Sequence, residues 1–283
     1  EKMFTRLRSL PFAVVLTMVL RKSVKSLQCI VNETMHGLCL EEVTASAYSQ
    51  ARYKLKHTAF IELNQKAIID VLYQDEDFKK FWGKRILAID GSKIRLPNTQ
   101  EICDTFGTIA YSQGLDSDVQ GEHPYALGSV LFDVLNRVAI DATLAPANAY
   151  EVDLAIAHLA HTQRDDLLLM DRNYPSYRML AMLRKTERDF AIRCSASSFS
   201  VARRMLKGDG TGSQIVTLTP CAEQMPMIRA FGLPETLTVR FVRVLLSTGE
   251  FEVMVTSLLD EAGYPSDDFL TLYGLRWGIE TFN

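Results

Sequence analysis

Two short apolar runs constrain the fold of this chain most, because each ends in an aspartate. Ile86-Leu-Ala-Ile-Asp90 and Leu167-Leu-Leu-Met-Asp171 are too short for helices and too apolar for surface loops, so they read as buried strands. A buried strand that finishes in a carboxylate needs a partner for it, since an unpaired buried charge is costly. The segments around them fix an order. Lys93-Ile-Arg-Leu96 continues the first strand after a Gly-Ser step, and residues 98–124 read as a long polar loop. Ala126–Leu135 and Arg137–Leu144 read as two strands joined by a turn at Asn136. Residues 149–163 and Tyr177–Glu187 have helical spacing, and Phe190–Arg193 reads as a fifth strand.

The order β-β-β-α-β-α-β predicts an α/β fold whose first three strands are antiparallel and whose later strands return through helices. That is the RNase H-like arrangement, a mixed sheet with flanking helices. Residues 195–258 exceed its minimal form and read as a β-rich insertion before the last helix, with strands at Gln214–Leu218, Leu237–Leu246 and Phe251–Thr256. In this fold the first and fourth strands are neighbours, which sets Asp90 beside Asp171. Adjacent carboxylates repel unless a proton or a cation lies between them. Oxygen ligands suit Mg²⁺ or Mn²⁺.

A third acid comes from the last helix, for which Ser266 is the expected cap. Leu272, Leu275, Ile279 and Phe282 form its apolar stripe, while Tyr273, Arg276 and Glu280 share an adjacent face. Such a phenol, guanidinium and carboxylate could bind phosphate and metal together. From spacing alone, a plain surface ion pair between Arg276 and Glu280 at i,i+4 is the commoner arrangement.

Residues 1–85 read as a separate helical region and a candidate DNA contact, with residues 86–283 as the catalytic domain. The chain carries a net charge of -3, which argues weakly against DNA binding. Residues 1–60, however, hold nine Lys and Arg against four Asp and Glu. A basic arm beside an acidic core fits an enzyme acting on nucleic acid. The apolar run Leu10–Leu20 is too short to span a bilayer. Five cysteines without a Cys-x-x-Cys pair suggest neither a zinc site nor a disulfide framework and suit a reducing cytoplasm.

Ala88-Ile-Asp-Gly-Ser92, Asp171-Arg-Asn-Tyr-Pro-Ser176 and Tyr273-Gly-Leu-Arg-Trp-Gly-Ile-Glu280 together resemble the DDE transposases of bacterial insertion sequences, specifically the insertion-sequence-4 family with its Tyr-Arg-Glu-Lys signature. The resemblance covers most of residues 40–283. Asn173 stands where the family commonly has glycine, and the motif's final lysine would fall beyond Asn283, so the chain is expected to be C-terminally truncated. The resemblance implies phosphoryl transfer on double-stranded DNA: cleavage at transposon ends and joining to target DNA by a homodimer. It implies Asp90, Asp171 and Glu280 as catalytic ligands of two Mg²⁺ or Mn²⁺ ions. It also implies DNA contacts by Tyr273, Arg276, Arg172 and Tyr174, and a place in the bacterial cytoplasm with the nucleoid. A decayed or repurposed transposase that holds DNA without cutting it, and an unrelated hydrolase with paired carboxylates, stay open.

Other features read more plainly. Gly208-Asp-Gly-Thr-Gly212 lacks the lysine of a phosphate loop and reads as a hairpin turn. His158 and His161 have helical spacing but no evident third metal ligand. A Ser-His-Asp arrangement stays open, though no Gly-x-Ser-x-Gly elbow occurs. Trp82 and Trp277 read as core residues rather than stacking platforms.

Overall fold

The computed structural model describes residues 4, 9–21, 23–112 and 120–280. They fall into two compact units, residues 1–74 and 75–283, a division eleven residues before the expected one. In the first unit, α1 (Phe12–Leu20), α2 (Leu27–Gly37) and α3 (Ala45–Arg52) bury Val15, Met18, Val31, Met35 and Tyr48 between them. Ser26 and Thr44 cap α2 and α3 by accepting the N–H groups of Cys29 and Ala47. Helix α4 (Thr58–Asn64) runs through a π-helical turn (Gln65–Ile69) into α5 (Asp70–Leu72). Among the described residues, no helix is long and apolar enough to cross a membrane.

The second unit is built on β1 (Arg85–Arg95), which runs unbroken through the Gly91-Ser92 step. The expected loop at 98–124 is instead ordered in part. Thr99 caps the short helix α6 (Gln100–Phe106), and β2 (Thr108–Ser112) follows. Strand β3 (Gln120–Asp133) then starts six residues earlier than its apolar stretch suggested, because β2 pairs with residues 120–124 of it. Strand β4 (Val138–Pro146) returns after the turn at Asn136. Helix α7 (Glu151–His158), strand β5 (Asp166–Met170), helix α8 (Tyr177–Lys185) and strand β6 (Asp189–Cys194) complete the expected succession.

The β-rich segment does not stand apart from this core. Helix α9 (Ser200–Leu206), β7 (Ser213–Leu218), α10 (Met225–Ala230), β8 (Leu237–Leu245) and β9 (Phe251–Thr256) extend the same sheet. Strand β9 adds antiparallel to β6, giving nine strands in the order β2-β3-β1-β5-β6-β9-β8-β7, with β4 also on β3. Gly208–Gly212 joins α9 to β7 and is not a hairpin turn; Gly208 and Gly210 take φ of +90° and +71°, which favour glycine. The mixed sheet, antiparallel through β1, β3 and β4 and parallel through β1, β5 and β6, is RNase H-like.

Both faces of the sheet are covered. Leu87, Ile89, Leu168 and Met170 face α7 and α8, clustering with Val152, Ala155 and Leu180. Ile86, Ala88, Leu167 and Leu169 face the last helices, α11 (Asp268–Leu275) and α12 (Trp277–Glu280), through Phe269, Leu272, Tyr273 and Ile279. Strands buried on both sides lose the polar alternation of a half-exposed strand, which is why these runs are continuously apolar. Phe282 lies outside the described residues. Ser266 does not cap α11. Its Oγ instead accepts from Arg240 Nη2 at 2.9 Å. Fully buried Arg240 also donates to the Tyr264 carbonyl and to Ser213 Oγ, and thereby fixes the approach to α11.

Candidate active site

The parallel ladder between β1 and β5 determines where the two aspartates lie. Arg85 pairs with Asp166 and Ala88 with Leu169. Asp90 and Asp171 are each five residues beyond the Arg85–Asp166 pair, so the register carried past the end of β5 sets them level. A buried, two-pronged ion pair locks that register: Arg85 Nε and Nη2 donate to Asp166 Oδ1 and Oδ2, both at 2.7 Å. Alternation along β1 turns Asp90 to the side of Ala88, which is the face covered by α11 and α12. Asp171 Oδ1 accepts the Asn173 N–H at 2.8 Å, closing the turn into α8. Asn173 does not adopt a left-handed backbone, so this turn needs no glycine.

The last helix is broken at Arg276 into α11 and α12, and α12 packs against β1. Arg276 Nε donates to the Tyr273 hydroxyl at 3.0 Å, and Nη2 to Glu280 Oε1 at 2.5 Å. Tyr273 and Arg276 are buried, whereas Glu280 is exposed. The expected shared face of these three side chains is thus present, and the charges of Arg276 and Glu280 act on Asp90. Burial raises the Asp90 carboxyl above the usual carboxylate range; Arg276 opposes that, while Asp171 and Glu280 add to it. Burial works against the charge on Arg276, and the Tyr273 hydroxyl and Glu280 outweigh it, so its pKa is raised. One guanidinium and two further carboxylates therefore act on Asp90. Among the described residues, no three His, Cys, Asp or Glu side chains are already gathered as a metal cage.

The remaining expected contacts divide. Arg172 is exposed and lines an open cleft of about 390 Å³ with Tyr177, Ser197 and Gln224. Tyr174 is only 1 % exposed, so it offers no surface to a duplex, and its hydroxyl has no hydrogen-bond partner among the described residues. Trp82 packs on Phe81, Tyr264 and Phe269, as a core residue should. Trp277 does not. It is 56 % exposed beside Arg276, whose guanidinium lies 5.6 Å from its ring centroid.

Two arrangements escaped the sequence. His158 bonds Asp141 Oδ2 through Nδ1 at 2.7 Å and Ser129 Oγ through Nε2 at 3.0 Å. This has the connectivity of a Ser-His-Asp triad, but Ser129 and His158 are each 1 % exposed, so no substrate can reach the hydroxyl. Its work is to tie α7 to β3 and β4. The second is Glu151, the first residue of α7, whose carboxyl feels Asp171 and Asp90. An acid at a helix start is ordinary dipole chemistry, so nothing in the sequence singled it out.

Comparison with known proteins agrees with this geometry. The family model described as "Transposase DDE domain" matches residues 81–283. A search of curated proteins finds no match.

Proposed function

Because the chain belongs to the transposase DDE-domain family, we propose that Asp90, Asp171 and Glu280 are its three catalytic acids and that it breaks and joins phosphodiester bonds in double-stranded DNA. The observation that carries this reading is the level register of Asp90 and Asp171, on the sheet face where Arg276 and Glu280 approach. The donor set is all oxygen, and its carboxylates repel one another, which fits a pair of Mg²⁺ or Mn²⁺ ions. Such ions, when bound, supply positive charge to the attacking and leaving oxygens.

Asp90 would hold both ions, with Asp171 and Glu280 each holding one. Arg276 now neutralises Glu280. Released from it, the guanidinium can take a DNA phosphate through two parallel N–H bonds. Tyr273 keeps Arg276 oriented through its hydroxyl. Arg172, exposed just past Asp171, meets the backbone of the same strand. The finer reading follows the insertion-sequence-4 pattern: transposon ends are cut and joined to target DNA by a dimer, and residues 1–74 add non-specific grip. The Asp90→Asn, Asp171→Asn and Glu280→Gln variants should keep DNA binding and lose Mg²⁺-dependent cleavage of an end-containing duplex. Cleavage near the parent rate by Asp90→Asn would refute the assignment. A parent protein that binds the duplex yet never cuts it would instead be a repurposed DNA-holding form.

A further inference from the structure

Glu151 approaches the candidate site from the sheet face opposite Glu280. Strand alternation turns Gly91 away from Asp90, toward α7. A Cβ built on Gly91 would lie 3.3 Å from Glu151 Cδ and 3.4 Å from its Oε1, so the carboxyl rests on the space that the missing side chain leaves. The φ of Gly91 is not positive, and the backbone there would accept any residue. What a larger residue would disturb is Glu151.

The helix that carries Glu151 is held firmly. Glu151 and His158 are two turns apart on α7 and so share a face. His158 is bonded to Ser129, and Ser129 is the β3 partner of Gly91 in the ladder. The anchor at one end of α7 is thus in register with the gap that receives the carboxyl at the other. A second observation indicates that something belongs there. The buried Tyr174 hydroxyl is unpartnered, and the charges acting on it are Glu151 first, then Asp90, Asp171 and Arg276. An unsatisfied buried hydroxyl costs about 1–3 kcal/mol. A bound group with an acceptor oxygen would remove that cost.

We propose that Glu151 is a fourth oxygen ligand of this site, completing the divalent-cation seat formed with Asp90 and Asp171 from the other face of the sheet. This rests on the reading of Asp90 and Asp171 as cation ligands. The Tyr174 hydroxyl donates to the oxygen of a water that the cation carries. Gly91 keeps the route for the Glu151 carboxyl open.

The test is Mn²⁺ binding by the full 283-residue chain, followed by calorimetric titration and by the paramagnetic signal of free Mn²⁺. Glu151→Gln should weaken Mn²⁺ binding about tenfold or more. Gly91→Ala should weaken it in the same direction, because the new methyl displaces the carboxyl without removing it. Asp153→Asn, an acid in the same first turn that pairs with Arg178, should leave it unchanged. Circular dichroism of each variant establishes that the fold is retained. If Glu151→Gln binds Mn²⁺ as tightly as the parent while Asp90→Asn and Asp171→Asn do not, the Glu151 proposal fails and the underlying reading stands. If Asp90→Asn and Asp171→Asn also bind as the parent does, or the parent binds no Mn²⁺, both fail.

Discussion

Arg85 and Asp166 are the place to ask whether strand register sets the site. Their side chains are 6 % and 2 % exposed, and they share two hydrogen bonds of 2.7 Å. Arg85→Met leaves the Asp166 carboxylate buried, still accepting the Gln163 N–H at 2.6 Å. Breaking a buried pair by removing one partner typically costs about 3–5 kcal/mol, because the other charge is left uncompensated. At roughly 2–4 °C per kcal/mol for a domain of this size, the melting temperature should fall by about 6–20 °C. Arg85→Met with Asp166→Asn removes both charges, and the amide oxygen still accepts from Gln163. That double variant should recover about 2 kcal/mol or more of the loss, since two uncharged side chains carry no ionic desolvation penalty. Urea unfolding of the four proteins in one buffer, followed by circular dichroism, gives the coupling directly. A double variant no more stable than Arg85→Met would show that the pair is not what stabilises the β1–β5 ladder.

Three further outcomes are expected. The Asp90 pKa is raised in the folded chain, chiefly by burial. The folded state therefore binds that proton more tightly than the unfolded one, and stability falls as pH rises from the usual carboxylate value of 3.8 through the raised one. Asp90→Asn should accordingly unfold at higher urea than the parent at neutral pH without divalent cations. That advantage should vanish well below pH 3.8; a variant less stable at neutral pH would contradict the electrostatic account. Arg240→Met should cost about 2–4 kcal/mol, because the buried Tyr264 carbonyl and Ser266 hydroxyl lose their donor; an unchanged urea midpoint would refute it. Trp277→Ala should leave stability within about 0.5 kcal/mol, since the ring is exposed. It should weaken DNA binding several-fold in a filter assay, and unaltered binding would rule out a DNA-facing role.

The sequence revealed the parts of the fold that rest on burial. Leu167–Met170 could be read as a strand because a parallel strand covered on both faces must be apolar at every position. The aspartate ending that run was legible for the same reason. Residues 98–124 do not show their elements because burial of α6 is slight: Ile102, Cys103 and Phe106 are only half-buried, and a two-turn helix gives too short an apolar face to stand out among polar residues. The role of Ser266 was misjudged because its partner, Arg240, is 26 residues away and buried by tertiary packing. Trp277 reads as a core residue in the sequence, yet it lies off the apolar stripe of the last helix and is exposed, whereas Ile279, which is on that stripe, is buried. Glu151 could not be found at all from a helix-start acid, since its meaning depends on the gap at Gly91, sixty residues earlier.

These observations also bear on the order in which the site can fill. The charges of Asp171 and Glu280 act on Asp90, those of Asp171 and Asp90 act on Glu151, and the cations opposing them are Arg276 and Lys93. Of these, Arg276 is already committed to Glu280 and Tyr273. A DNA phosphate entering this site would add a further negative charge to an unbalanced set, at a place where burial weakens solvent screening. Like charges this close keep a phosphate out unless positive charge arrives with it or before it. On the proposed reading divalent cations would meet that requirement, and with Glu280 serving as their ligand the Arg276 guanidinium would be free to hold a phosphate in two-pronged fashion. In this account Arg276 has two successive partners. It offsets the negative charge around Asp90 in the free chain, and on the proposed reading it would hold the DNA strand once cations are bound.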